Sequence, residues 1–374
     1  MDNDEKYSLI TRGAQEVLTS EDLRSFIADG TPLRHYIGFE ISGKVHLGTG
    51  LMTGMKISDM QKAGVKCSCY LATYHAWINN KLGGDLEKIR AYTGYFKEAL
   101  RKSIDVMGGD SDSVRFVSGD ELYHNNDEYW RIVIDVAKHM TLNRSLRAIT
   151  ILGRKEGEAV STAQLLYPAM QVADIFVQDI NIAHAGMDQR KAHVVAREVA
   201  EKLVTRPLRD ISGKIVKPVA LHHSLLMGLA KPPSNVDGRS KEDILSEIKM
   251  SKSIPGSAVF VTDTPDEIRD KIKNAYCPAK IVDLNPIINW VEHVVFSSPD
   301  SVLNVKRSQK FGGDKTYESF DNVVKDFSSG SLHPVDLKFS VGEFIIDILE
   351  PVRKSFSRGN LAVLHKELDS IVGR

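Results

Sequence analysis

At 374 residues the chain is long for a single hydrophobic core, so two domains are expected. Its 42% apolar and 26% charged residues are those of an ordinary soluble globular protein. Its 49 basic and 49 acidic side chains exclude a uniformly basic nucleic-acid binder, so any RNA contact must come from local patches. Candidates are Arg190-Lys191, the stretch around Lys306, Arg307 and Lys310, and Arg353-Lys354, each of which also reads as a solvated surface face.

The first thirty residues read as helices: Thr19-x-x-Asp22 ahead of Leu23, Phe26 and Ile27 resembles a capping box, and Gly30 closes the segment. A strand follows at Tyr36-Ile37-Gly38-Phe39-Glu40, then the loop Ser42-Gly43-Lys44-Val45, then a helix opening near His46. Doubly wound nucleotide folds begin in that order, because helix N-terminal amides and close-lying glycine backbone favour phosphate. The spacing fits neither a dinucleotide fingerprint nor a P-loop.

A second strand, Lys66 to Ala72, leads to His75-Ala76-Trp77. Cys67 and Cys69 fall in it and, with Cys277, suggest neither a disulfide framework nor a metal site. Ile89, Tyr92, Phe96, Leu100 and Met107 recur at helical spacing before Gly108-Gly109, and a second helical stretch at 128–152 carries Trp130, Ile132, Ile134, Val136 and Met140. This insertion parts the two halves of the nucleotide fold. The second half resumes at Leu165 to Phe176, Asn181 to Gly186, a helix from Asp188 to Leu203, and Lys217 to His222.

Residues 229–246 read as an exposed loop and a short helix ahead of Lys249, and from Pro265 onward the pattern is helical. The predicted architecture is α/β. A Rossmann-like doubly wound parallel sheet forms a catalytic domain over 1–260, with a helical connective insertion at 85–165 and a lysine loop at 246–258; an α-helical domain covers 261–374. No charged leader precedes an apolar run and no 18-residue apolar stretch occurs, so the expected location is the cytoplasm.

Two short stretches carry most of the chemistry. His46-Leu47-Gly48-Thr49 places an imidazole at a helix start, and Lys249-Met250-Ser251-Lys252-Ser253 gathers two ammonium groups and two hydroxyls before Pro255-Gly256. Alone, the first is equally a solvent-facing cap and the second a charged surface loop. In this order, with a nucleotide fold between them, they point to chemistry on the α-phosphate of ATP, where positive donors meet charge building on the departing pyrophosphate. In Tyr167-Pro168-Ala169-Met170-Gln171-Val172-Ala173-Asp174, positions 167, 171 and 174 share a helical face, so a phenol, an amide and a carboxylate converge in an apolar segment. Such groups need a polar ligand or a buried network. Gly186-Met187-Asp188-Gln189 sits at a strand-to-helix turn where a carboxylate can take a ribose hydroxyl or simply cap a helix.

With these stretches in place, the sequence strongly resembles the archaeal-type tyrosyl-tRNA synthetases of class I, from about Ile10 to Lys354. The specific pieces are Tyr36 to Glu40, His46-Leu47-Gly48, Tyr167 to Gln171, Asp188-Gln189-Arg190-Lys191, Lys249 to Ser253, Ala275-Tyr276-Cys277-Pro278, Phe311-Gly312-Gly313-Asp314 and His333-Pro334-Val335-Asp336. The resemblance implies that tyrosine is activated with Mg-ATP to tyrosyl-adenylate and passed to the 3′ end of tRNA(Tyr). Tyr36 and Asp174 would bracket the phenolic oxygen, while Tyr167, Gln171 and Gln189 hold the α-ammonium. His46, Lys249, Lys252 and Ser253 would be catalytic, with Ser42, Gly48, Gly186, Asp188, Met250 and Ser251 at the ATP. Arg190 and Lys191 would meet the acceptor end of the tRNA. Phe311 and His333 would stack on the first anticodon base and Asp336 would read its edge, the usual way single-stranded RNA bases are specified.

The resemblance also implies a homodimer; the insertion at about 110–165 is the candidate contact, because the helix around Trp130 has apolar residues on more than one face, and no protein-bound metal, membrane or DNA partner is expected. The chain departs from the family pattern twice: Thr49 stands where the His-x-Gly-His motif has its last histidine, and Ile41 replaces the proline after Phe-Glu. The alternatives are a tryptophanyl-tRNA synthetase, a small-molecule adenylate-forming ligase and a non-catalytic tRNA-binding paralogue. Phe311, His333 and Asp336 speak against the second, and Lys249 and Lys252 against the third.

Overall fold

The computed structural model describes residues 1–153, 159–233, 241–251, 256–298 and 300–372. Backbone contacts divide the chain into two compact units. One is built from Met1–Gly43, Lys56–Lys97 and Asp110–Ser224, the other from Lys44–Met55, Glu98–Gly109 and Leu225–Arg374.

The first unit holds a six-stranded sheet of β1 (Ala14–Leu18), β2 (Arg34–Glu40), β3 (Lys66–Ala72), β4 (Arg115–Ser118), β5 (Ile182–Gly186) and β6 (Val219–His223). Its order is β1-β6-β5-β2-β3-β4, with only β1 antiparallel. β2 pairs in parallel with β3 on one side and β5 on the other, so the winding reverses there. In doubly wound sheets that reversal opens a crevice at the strands' carboxyl ends, which here are Glu40 and Gly186. Every residue of β3 after Lys66 is buried, so the apparent alternation at Cys67 and Cys69 is that of a central strand covered on both faces.

Two strands of this sheet depart from the sequence reading. Residues 14–18 form β1 rather than helix: they pair with β6 around an irregularity between Ala14 and Glu16, a long-range contact that a five-residue pattern does not announce. Within the expected helical insertion, Arg115–Ser118 adds β4 to the edge of β3. Thr19 does cap the helix Ser20–Ala28, accepting from the Asp22 amide, and Thr19 Oγ1 donates to Asp22 Oδ2 at 2.8 Å.

In the second unit, residues 47–55 of the helix Leu47–Lys62 and residues 98–106 of the helix Leu86–Val106 meet at glycine. A Cβ on Gly54 would stand 2.3 Å from the Ser103 carbonyl oxygen, and one on Gly50 would stand 2.7 Å from Ser103 Oγ. Backbone cannot step aside as a flexible side chain can. Gly54→Ala is therefore expected to destabilise the protein by about 1–3 kcal/mol, read as a lower urea midpoint.

Trp290 on the helix Pro286–His293 is fully buried and donates from Nε1 to the Met227 carbonyl at 2.8 Å, while Asn289 Oδ1 accepts from the Met227 amide at 2.9 Å. These bonds fasten residues 225–229 to the helix Pro286–His293. A two-stranded hairpin, β7 (Leu303–Val305) and β8 (Lys315–Tyr317), interrupts the otherwise helical C-terminal stretch.

Candidate active site

At the switch point of the first unit, the helix Thr162–Val177 presents Tyr167, Gln171 and Asp174 as the 3.6-residue spacing predicts. Asp174 is 1% exposed; Oδ1 accepts from Tyr123 Oη at 2.9 Å, and His75 Nε2 lies 3.6 Å from Oδ2. Among the described residues Oδ2 has no hydrogen-bond partner. Burial pushes the Asp174 carboxyl well above the carboxylate range, partly offset by the Tyr123 and Tyr129 hydroxyls. Burial and the charge of Asp174 likewise raise the Tyr36 hydroxyl on β2, so the strand and helix contributions are electrostatically coupled.

The other end of the pocket is more polar. Tyr167 Oη donates to Glu40 Oε1 at 2.9 Å, Asn79 Nδ2 donates to both Glu40 oxygens at 3.0 and 3.2 Å, and Lys81 Nζ lies 3.3 Å from Oε2. Gln171 Nε2 donates to Gln189 Oε1 at 3.3 Å, and Gln189 Nε2 donates to the Ile151 carbonyl at 3.0 Å. Gln171 Oε1 is buried without a partner among the described residues. Gly186 ends β5, and Asp188 follows within the turn Met187–Gln189, its carboxylate 3.4 Å from Gln189 Nε2.

Sequence reasoning gave Glu40 and His75 no place in the site, and it did not single out Tyr70, Asn79 or Tyr123. The signal for Glu40 was its place at the end of a strand beside the switch. Tyr70 and His75 sit on and just after β3, where a polar group facing inward was equally a core residue.

The second unit gathers the two phosphate motifs. Val261 N donates to the Val45 carbonyl at 2.9 Å and Leu47 N to the Val259 carbonyl at 3.0 Å, so the His46 segment lies as a strand beside 259–261. A Cβ on Gly48 would stand 3.3 Å from His46 Cε1 and Nδ1 and from Leu226 Cβ; glycine lets the imidazole lie against the helix start. Met250 N in turn donates to the Leu226 carbonyl at 2.7 Å, and Met227 bridges Lys249. Leu226 thus stands between two motifs that lie far apart in sequence.

Met250 is buried and roots the loop, while Ser251 O accepts from Ser257 Oγ at 3.3 Å. Lys252 and Ser253 lie outside the described residues. Ser42 is half-buried in the loop after β2. Thr49 holds the imidazole: its amide donates to His46 Nδ1 at 3.2 Å, and its Oγ1 lies 3.3 Å from Nε2. With Nδ1 accepting, the ring proton belongs on Nε2, so the imidazole is a donor there.

The candidate RNA contacts differ in how committed they are. Arg190 Nε donates to both oxygens of Glu16 at 2.9 and 2.8 Å, and Glu16 also receives His222 Nδ1 at 2.9 Å, whereas Lys191 is exposed. A shallow groove of about 340 Å³ lined by Leu18, Arg190, Val194, Arg197, Glu198 and Lys217 runs beside them.

In the second unit His333 is exposed and caps the helix Pro334–Ile348, its Nδ1 accepting from the Val335 amide at 3.2 Å, and Asp336 is half-buried in the first turn. Arg307 donates to the Gly313 carbonyl at 3.0 Å and the Ser331 carbonyl at 2.9 Å, clipping the turn Gln309–Phe311 and its two glycines to the His333 segment. Among the described residues no cluster of three or more His, Cys, Asp or Glu is placed to hold a metal ion. Nor, among them, is any helix long and apolar enough to cross a membrane.

Comparison with known proteins agrees with this geometry. The family model described as tRNA synthetases class I (W and Y) matches residues 28–350. The chain is 53% identical to a tyrosine–tRNA ligase of Thermococcus sibiricus, covering 96% of each chain. It superposes with a TM-score of 0.94 on the crystal structure of a tyrosyl-tRNA synthetase from Pyrococcus horikoshii complexed with L-tyrosine, at 51% identity over 98% of this chain and 100% of that one. A tyrosyl-tRNA synthetase from Aeropyrum pernix superposes with a TM-score of 0.83 at 37% identity, over 99% and 100%.

Proposed function

The chain belongs to the class I tRNA synthetases of the tryptophan and tyrosine type, and from that premise we propose how its residues divide the work. It activates tyrosine with ATP, releasing pyrophosphate, and transfers the tyrosyl group to tRNA. The observation that best supports tyrosine as the guest is Asp174: a buried carboxylate among tyrosines, with one oxygen unpartnered by the described residues, suits a phenolic hydroxyl.

Asp174 and Tyr36 take that hydroxyl. Tyr167, Gln171 and Gln189 hold the α-ammonium, with the Glu40 carboxylate beside Tyr167 as its counter-charge. The substrate carboxylate then attacks the α-phosphate of Mg-ATP, and no side chain needs to act as a covalent nucleophile. His46 and Lys249, with Lys252 and Ser253, meet the phosphates. Ser42, Gly48, Met250 and Ser251 shape their seat, and Gly186 and Asp188 lie at the ribose. Catalysis comes from positioning and from donors that meet the transition state better than the ground state.

In the second step the terminal ribose 2′-hydroxyl of tRNA(Tyr) displaces AMP. Arg190 and Lys191 guide the acceptor end, so a phosphate reaching Arg190 shares it with Glu16. Phe311, His333 and Asp336 read the first anticodon base, and the α-helical domain that carries them takes the RNA-reading role over 261–374. The exposure of Trp130, Ile134 and Leu142 supports a homodimer through the insertion. The setting is the cytoplasm.

The test is ATP–pyrophosphate exchange by purified protein with tyrosine, tryptophan, phenylalanine or no amino acid. Exchange with tyrosine alone is the expected result. Exchange with tryptophan would transfer the assignment to the sister enzyme, and none with any of them would favour a binding paralogue.

A further inference from the structure

Three side chains outside the expected ligand set converge on Asp174. Tyr70 Oη donates to Tyr123 Oη, Tyr123 Oη donates to Asp174 Oδ1 at 2.9 Å, and His75 Nδ1 lies 3.2 Å from Tyr123 Oη. All four side chains are buried, and the Tyr129 ring stacks on Tyr123 with centroids 4.0 Å apart. A phenol has one proton to give. With that of Tyr123 committed to the carboxylate, its contact with His75 is a hydrogen bond only if the imidazole carries its proton on Nδ1. Burial pushes His75 down to about 3, so the ring is neutral and Nε2 is bare. Nε2 then lies 3.6 Å from Asp174 Oδ2, neither atom with a hydrogen-bond partner among the described residues, and the buried Tyr129 hydroxyl bears on the same carboxylate.

We propose that Tyr70, Tyr123 and His75 form a proton-ordering relay that fixes Asp174 as an acceptor for the substrate's phenolic hydroxyl, with Tyr123 the specificity-determining positioning residue. The relay rests on the reading of Asp174 as the phenol ligand. Its consequence is that Asp174 Oδ2 keeps an acceptor position that the phenolic O–H of tyrosine fills and phenylalanine leaves unfilled.

The test measures tyrosine KM and kcat in pyrophosphate exchange, with phenylalanine as competitor, for Tyr123→Phe, Tyr70→Phe, the double variant and Asp174→Ala. Tyr123→Phe is expected to raise tyrosine KM roughly tenfold or more with kcat within about threefold. Tyr70→Phe should act in the same direction but less, and the double variant should be no worse than Tyr123→Phe, because both act through one bond. Losses that add, or an unchanged KM in Tyr123→Phe while Asp174→Ala loses selectivity, would overturn the relay alone. Unchanged selectivity in Asp174→Ala would overturn the phenol reading and the relay with it. Should Tyr123→Phe fail to fold, the KM of Tyr70→Phe decides: a rise sustains the relay and no change ends it.

Discussion

Replacing Lys249 with alanine is expected to slow tyrosine-dependent pyrophosphate exchange by about 10²–10³-fold while tyrosine KM stays within about twofold. Negative charge on the β- and γ-phosphates grows only as the α-phosphate is attacked, so an ammonium there serves the transition state more than the ground state. The backbone is built to aim it. Lys249 follows the last turn of the helix Lys241–Ile248, bridges Met227, and is held from both sides by Gly228 N donating to the Ile248 carbonyl at 2.8 Å and Met250 N donating to the Leu226 carbonyl at 2.7 Å. Leu226 also touches the position where Gly48 would carry a side chain, so the ladder that roots the lysine reaches the histidine motif within the same compact unit.

The Thr49 amide donates to His46 Nδ1, which puts the ring proton on Nε2. The departure at Thr49 thus keeps the leading histidine oriented, through a hydroxyl 3.3 Å from the ring nitrogen. Single-turnover formation of tyrosyl-adenylate checks the prediction. Equal losses in tyrosine binding and in the chemical step would place Lys249 in general binding, not at the phosphates.

How far the fold can be read from the sequence depends on the range of the forces involved. Periodicity is local, so the helix face carrying Tyr167, Gln171 and Asp174 and the strand Lys66–Ala72 were legible residue by residue. β1 and β4 were not, because five- and four-residue strands acquire their state from partners far away in sequence, His223 for Ala14 and Ser68 for Arg115. The pocket divides in the same way. Ligands sharing a helix announced themselves by spacing, whereas Tyr70, His75 and Tyr123 reach Asp174 from three other elements and share no interval with it.

Asp174→Ala is expected to cut the preference for tyrosine over phenylalanine by about 10- to 100-fold, through a fall in kcat/KM for tyrosine and a smaller rise for phenylalanine. A hydrogen bond to a charged, buried acceptor is worth about 1.5–3 kcal/mol, and the analogue lacking the hydroxyl leaves that acceptor unpaired. Alanine removes both the reward and the penalty. The wild-type site has a pH signature that the variant lacks. Burial raises the Asp174 carboxyl in the free protein, whereas a phenolic O–H donor favours the ionised form, so tyrosine binding and proton release are linked. As pH falls through the raised value the free site takes up a proton and loses its acceptor, and tyrosine KM rises. In Asp174→Ala that rise disappears and KM is flat over the same range. Competition assays between the two amino acids at several pH values read both effects at once. An acid-dependent KM that survived in the variant would assign the titration to a group other than Asp174.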